Sequence, residues 1–133
     1  MPSTNASTDR QYLNLPNRQS PLPFSDAVLV GNTLYIAGRI GIDRATGLAP
    51  SSIQKELTLL LDDFQAVLRL ADMTMDDLVW VQVFSPDLAQ WQPFNAEYTK
   101  RFTREFPARA FIGSGPLLLN ARFEMMGTAV KRG

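Results

Sequence analysis

Arg109 and Glu124 are the residues whose types and spacing best suit chemistry in a chain without histidine or cysteine. The stretch from Phe106 to Glu124 reads F-P-A-R-A-F-I-G-S-G-P-L-L-L-N-A-R-F-E. It sets Arg109 at the mouth of one apolar run, crosses a Gly-Ser-Gly-Pro turn and a short leucine bridge, and returns on a second apolar run that carries Glu124. If both runs are strands, alternation of side chains lets the two charges project toward the same end of a sheet. That pairing suits a small anionic substrate. A guanidinium forks a carboxylate through two hydrogen bonds, and a nearby carboxylate accepts a proton from water. The plainer reading, which these residues alone favour, is a structural ion pair at the strand edges.

The rest of the composition narrows the chemistry. Absence of cysteine and histidine removes disulfides, thiolate nucleophiles, Ser-His-Asp and Cys-His machinery and nearly every zinc site. General acids and bases must then come from Asp, Glu, Lys, Tyr or bound water. Thirteen basic and thirteen acidic residues cancel, so no whole-chain field draws in nucleic acid or an anionic membrane. The Lys100-Arg101 and Lys131-Arg132 pairs are too short to change that. The N-terminus lacks a basic segment followed by an apolar core, and no apolar run nears the roughly 18 residues of a membrane span. A cytoplasmic protein is expected. At 133 residues the chain is long enough for one domain with a real core.

The elements that must position Arg109 and Glu124 can be read from pattern. Residues 1–20 are polar and read as an N-terminal arm, in which Tyr12, Leu13 and Leu15 are able to form a short docking strand; residues 21–133 read as a single domain. A-V-L-V, Gly31-Asn32 and T-L-Y-I-A predict a hairpin whose second strand ends at Gly38. Ser51 or Ser52 caps a helix whose apolar face is Ile53, Leu57, Leu60, Leu61, Phe64, Val67 and Leu68, ending at Ala71. A strand is predicted over Leu78 to Phe84. Ser85-Pro86-Asp87 then caps a second helix with a buried stripe of Trp91, Phe94, Tyr98 and Phe102, Pro93 being tolerable near its start. Asn95 beside that stripe reads as a satisfied polar group. Strands over Ala108 to Ile112 and Arg122 to Val130 complete the order β-β-α-β-α-β-β. This is an α/β (α+β) domain: a mixed sheet with both helices on one face. The other face carries apolar residues too, which predicts that it packs against other subunits.

Three further features have plain readings. Gly113-Ser114-Gly115 is a flexible turn before it is an anion nest. Asp62-Asp63 and Asp76-Asp77 are exposed helix and turn charges before they are half metal sites. Met125-Met126 is packing.

The segments P-F-S-D-A-V-L-V-G-N-T-L-Y-I-A-G, V-F-S-P-D-L, F-N-A-E-Y, F-P-A-R-A and R-F-E-M-M-G-T-A together resemble the RidA/YjgF family, from about Pro21 to the C-terminus. The resemblance implies a chorismate-mutase-like fold assembled as a homotrimer with three clefts between subunits. It implies hydrolysis of 2-imino and 2-enamino acids, released by pyridoxal-phosphate enzymes, to 2-keto acids and ammonia, with neither metal nor organic cofactor. In that family's pattern Arg109 grips the substrate and Glu124 positions water. Asn95 is the cleft asparagine, Gly38 and Arg39 follow the strand end lining the cleft, and the backbone around Phe111 supplies hydrogen bonds. Two positions depart from the pattern. Phe24 stands for the cleft tyrosine and Ala37 for the cleft serine, so that S-G-Q becomes A-G-R and Arg39 adds a second positive charge near the cleft. Loss of two hydroxyls, each worth about 0.5–1.5 kcal/mol, points to a changed substrate before lost turnover. Alternatives are a pathway-specific intermediate of aminoacrylate or aminomuconate type, undergoing deamination, isomerisation or condensation, and a non-catalytic binder of small carboxylates. Members of the family are also described as ribonucleases or translation inhibitors, which the balanced charge and missing histidines make physically unattractive.

Overall fold

The computed structural model describes residues 9–18 and 21–132. Six strands form one sheet in the order β1-β2-β3-β6-β4-β5: β1 Arg10–Leu13, β2 Ala27–Val30, β3 Thr33–Arg39, β4 Leu78–Ser85, β5 Ala108–Gly113 and β6 Glu124–Val130. Helix α1 spans Ile53–Arg69, and α2 spans Trp91–Tyr98. The β4 and β5 strands are parallel and every other pairing is antiparallel, so the α2 crossover sits over β4 and β5. The expected order of elements is present, with β1 added in front. Tyr12 and Leu13 lie on β1, which docks antiparallel on β2, while residues 1–8, the start of the expected arm, lie outside the described residues.

Local chemistry sets the element ends. Gly31 takes φ 58° in the β2–β3 turn, a left-handed conformation that glycine adopts without strain. Ser52 caps α1 by accepting from the Lys55 backbone N–H, and Leu57, Leu60, Leu61, Phe64, Val67 and Leu68 are buried along it. Asp87 accepts from the Ala89 N–H and opens a 3-10 turn over Leu88–Gln90 that leads into α2. On α2 the expected stripe is correct at Phe94 and Tyr98, and Phe102 packs on the core. Trp91 corrects it: the indole is 49% exposed, because it heads a helix of only eight residues with no further turn above it.

One sheet face meets both helices through Leu34, Ile36, Val81, Val83, Met125 and Ala129, with Phe123 beside them. Fully burying side chains of this size contributes about 1.5–3 kcal/mol each. Gly127 permits a close approach, since a Cβ there would lie 2.8 Å from the Trp80 carbonyl oxygen and 3.4 Å from the Phe64 ring. The opposite face carries the row Tyr35, Thr128 and Trp80, in register across β3, β6 and β4. Tyr35, Trp80, Ile112 and Val130 all remain well exposed there.

Two ionic knots tie the loops to this frame. Glu56 of α1 is fully buried and accepts from both the backbone N–H and Nε of Arg122, each at 2.7 Å. Arg122 also donates to the carbonyls of Ser51 and Pro50, fastening the entry of β6 to the start of α1. In the second knot, Asp26 accepts from the Leu15 N–H at 2.8 Å and from Arg39 Nη1 at 2.7 Å, while Arg39 Nε donates to Asp63 at 2.6 Å. Burial alone would raise the Asp26 pKa, but the Leu15 N–H and the Arg39 guanidinium together hold it below the ordinary value.

Removing Arg122 strands the fully buried Glu56 carboxylate. Arg122→Ala is expected to lose about 3–5 kcal/mol in urea unfolding, and a loss below about 1 kcal/mol would contradict the clamp. For Asp26 the folded pKa lies below the unfolded one, so its stabilisation is complete above the unfolded value and disappears as pH falls through the folded value. The stability gap between the parent and Asp26→Asn should therefore be wide near about pH 6 and narrow below about pH 4. Urea midpoints at the two pH values test this, and an unchanging gap would refute it.

Candidate active site

Arg109 lies on β5, the edge strand, level with Val81 of β4 and therefore on the helix face of the sheet. Its guanidinium carbon stands 4.7 Å from the Tyr98 ring centroid, 5.5 Å from that of Phe94 and 5.8 Å from that of Phe111. Arg18, Arg39, Arg101 and Arg122 are each held by a carboxylate or carbonyl oxygen. Among the described residues Arg109 is the only partly buried arginine with no such partner. Aromatic faces take the place of the anion. Burial lowers its pKa from the ordinary guanidinium value, yet a guanidinium remains cationic at neutral pH. The result is a partly desolvated cation ready for an external anion.

The helix beneath it carries unsatisfied polar atoms. Tyr98 is 4% exposed and stacks on Phe94 with centroids 5.4 Å apart. Burial pushes its phenol up to about 12, against the opposing pull of Arg109. The Tyr98 hydroxyl and the Asn95 amide oxygen are both buried without a hydrogen-bond partner. Asn95 is therefore not the satisfied boundary residue that its spacing suggests.

Glu124 opens β6 level with Phe84, whereas Arg109 is level with Val81. The odd offset along β4 puts the two charges on opposite faces of the sheet. They form no ion pair, and one protomer does not bring them together. Both residues do lie on strands, but their side chains do not share the expected direction, because β4 lies between those strands and fixes both registers.

Glu124 instead sits against Gly38, where any Cβ would collide with Glu124 Oε2. Gly38 belongs to a bulge in which two residues, Ala37 and Gly38, span the step between Ile36 and Arg39 opposite β6. The bulge also reverses the parity of the strand beyond it. Arg39 returns to the helix face, level with Met125, and is held there by Asp26 and Asp63 with its side chain 14% exposed. It therefore brings no free charge to Glu124, against the expectation from its position in sequence. Ala37 donates its N–H to the Asp26 carbonyl. Phe24, two residues before Asp26, is half exposed with the Arg18 guanidinium 5.3 Å from its ring.

The candidate residues thus fall into two groups. Arg109, Phe111 and Asn95 gather at the β5 and α2 edge, and Glu124, Gly38 and Ala37 gather at the β3 bulge, with Phe24 tied nearby through Asp26. Tyr98 is the residue that sequence reasoning placed only in the core, although its position three after Asn95 puts it on the same side of α2. The other tempting features are structural. Ser114 donates its N–H to Ser85, so the glycine turn does not offer that group to an anion. Asp62 pairs with Arg101, Asp63 with Arg39, Asp76 accepts from Thr103, and Asp77 accepts from the Thr74 N–H.

Comparison with known proteins places this arrangement. A family model described as endoribonuclease L-PSP matches residues 17–131. A RutC family protein from Leuconostoc mesenteroides subsp. cremoris is 34% identical over 82% of this chain and 88% of its own. A protein from Dermatophagoides farinae named 2-iminobutanoate/2-iminopropanoate deaminase is 30% identical over 91% of this chain and 96% of its own. The crystal structure of a Rid-family protein of unknown function from Yersinia pestis superposes with a TM-score of 0.84 at 28% identity, covering 92% of this chain and all of that one. The mixed sheet with two helices is the chorismate-mutase-like fold of these neighbours. The chain therefore belongs to the endoribonuclease L-PSP family, that of the RidA/YjgF proteins.

Proposed function

We propose that this chain is a cytoplasmic, homotrimeric hydrolase that converts 2-imino and 2-enamino acids to 2-keto acids and ammonia. The observation that carries this reading is Arg109: a partly buried cation, supported on three aromatic rings and without an anionic partner among the described residues. The relative named for 2-iminobutanoate and 2-iminopropanoate deamination supports the substrate class. The apolar open face supports assembly, since a surface containing Tyr35, Trp80, Ile112 and Val130 is costly to leave in water. Assembly would also resolve the separation of Arg109 and Glu124, each half-site facing its complement on a neighbouring copy.

In the mechanism, Arg109 forks the substrate carboxylate and fixes C2 of the protonated imine. Glu124 accepts a proton from a water whose oxygen bonds to C2, giving a tetrahedral carbinolamine. The carboxylic acid returns that proton to nitrogen, the C–N bond breaks, and ammonia and the hydroxyl proton leave together as ammonium with formation of the keto acid. Gly38 gives Glu124 room beside the bulge. Asn95 and the backbone at Phe111 complete the polar wall, and Phe24 and Ala37 give it an apolar surface where hydroxyls would otherwise stand.

Arg109→Ala should lower kcat/KM by about 100-fold or more, the loss of a two-pronged charged hydrogen bond worth roughly 3 kcal/mol. The assay is hydrolysis of an imine generated in situ by an amino-acid oxidase, and parental rates in the variant would defeat the assignment. Mixing separately inactive Arg109→Ala and Glu124→Gln chains, after dissociation and reassembly, should restore about a quarter of the sites by random assortment around a closed ring. No recovery would mean that both residues serve one protomer's site or none.

A further inference from the structure

Three polar groups without hydrogen-bond partners among the described residues belong to α2 and the β5 residue that rests on it. Arg109 has five N–H donors and, among the described residues, no oxygen acceptor. The Tyr98 hydroxyl and the Asn95 amide oxygen, one helical turn apart, are acceptors without donors. A buried hydroxyl left unpaired is costly, and phenylalanine would fill the same aromatic stack without that cost. Tyr98 is packed among Phe94, Phe102 and Phe106, so its ring alone explains the packing and its oxygen does not.

We infer that Tyr98 is a positioning residue for Arg109, its ring carrying the guanidinium and its hydroxyl oxygen accepting an inner N–H when the outer edge forks an anion. A bidentate carboxylate engages only two of the five donors. The remaining donors stay available to the side chains of α2, whose Tyr98 ring lies 4.7 Å from the guanidinium carbon and whose hydroxyl has no partner. With its phenol raised to about 12, Tyr98 stays a neutral acceptor through the working pH range. A hydrogen bond of this kind fixes the fork's plane, which a stacking contact leaves free to rotate. The inference rests on the assignment of Arg109 as the carboxylate anchor.

The test is Tyr98→Phe, which keeps the ring and removes only the oxygen. Calorimetric titration with 2-oxobutanoate should show Kd raised about threefold to tenfold. KM for the imine should rise by a similar factor, with kcat changed by less than about twofold. The thermal midpoint should stay level or rise, because an unpaired buried hydroxyl has gone. In an Arg109→Lys background the same substitution should change Kd by less than about 1.5-fold, since the effect passes through the guanidinium. A Kd equal to the parent's overturns the inference while leaving the Arg109 anchor standing, provided Arg109→Lys itself weakens binding. If Arg109→Lys binds as the parent does, the anchor and the inference fall together. A lowered thermal midpoint in Tyr98→Phe also overturns it, by showing that the hydroxyl already has a structural partner.

Discussion

The constraint on which the rest depends is the parity of β4. Each residue along a strand changes face, and β4 lies between the strand bearing Arg109 and the strand bearing Glu124. Being level with Val81 and Phe84 respectively, the two charges are turned to opposite sides of one sheet. They cannot neutralise each other inside a protomer. That separation leaves the guanidinium and the carboxylate unpaired with each other.

Much of the ionic structure protects this arrangement. The buried Glu56 fastens the residue two places before Glu124, and Asp26 with Asp63 fastens the residue immediately after Gly38. Both knots lie beside Glu124 rather than beside Arg109, which among the described residues rests on ring faces. The difference is physically sensible. A carboxylate next to Arg109 would engage the guanidinium N–H groups, whereas an aromatic support attracts the cation and leaves them unengaged.

The local elements are legible in the chain because their causes are local. Ser52 and the leucines of α1 declare a capped amphipathic helix, and Gly31-Asn32 declares a two-residue turn. The RidA/YjgF resemblance is likewise carried by short segments such as F-P-A-R-A and R-F-E. Features set by pairing at a distance are not legible in this way. The bulge at Ala37 and Gly38 leaves no clear mark in A-G-R, yet it decides whether Arg39 faces Glu124 or α1. Nor does spacing along one strand reveal the register of another, so the chain suggests a common direction for Arg109 and Glu124 that the sheet does not give them. Trp91 differs for another reason: periodicity assigns a face but not the end of a short helix. Tyr98 belongs to the core as its spacing indicates, and only the lack of a partner for its oxygen distinguishes it from a phenylalanine.

The two tryptophans of the chain lie in separate settings, Trp80 on the open sheet face at 41% exposure and Trp91 at the head of α2 at 49%. Covering the sheet face would dry the indole of Trp80, while Trp91 stands on the helix layer. The molecule consequently carries an internal optical gauge. Its ultraviolet emission would report the hydration of that surface, so any covering of the face could be followed without an attached dye.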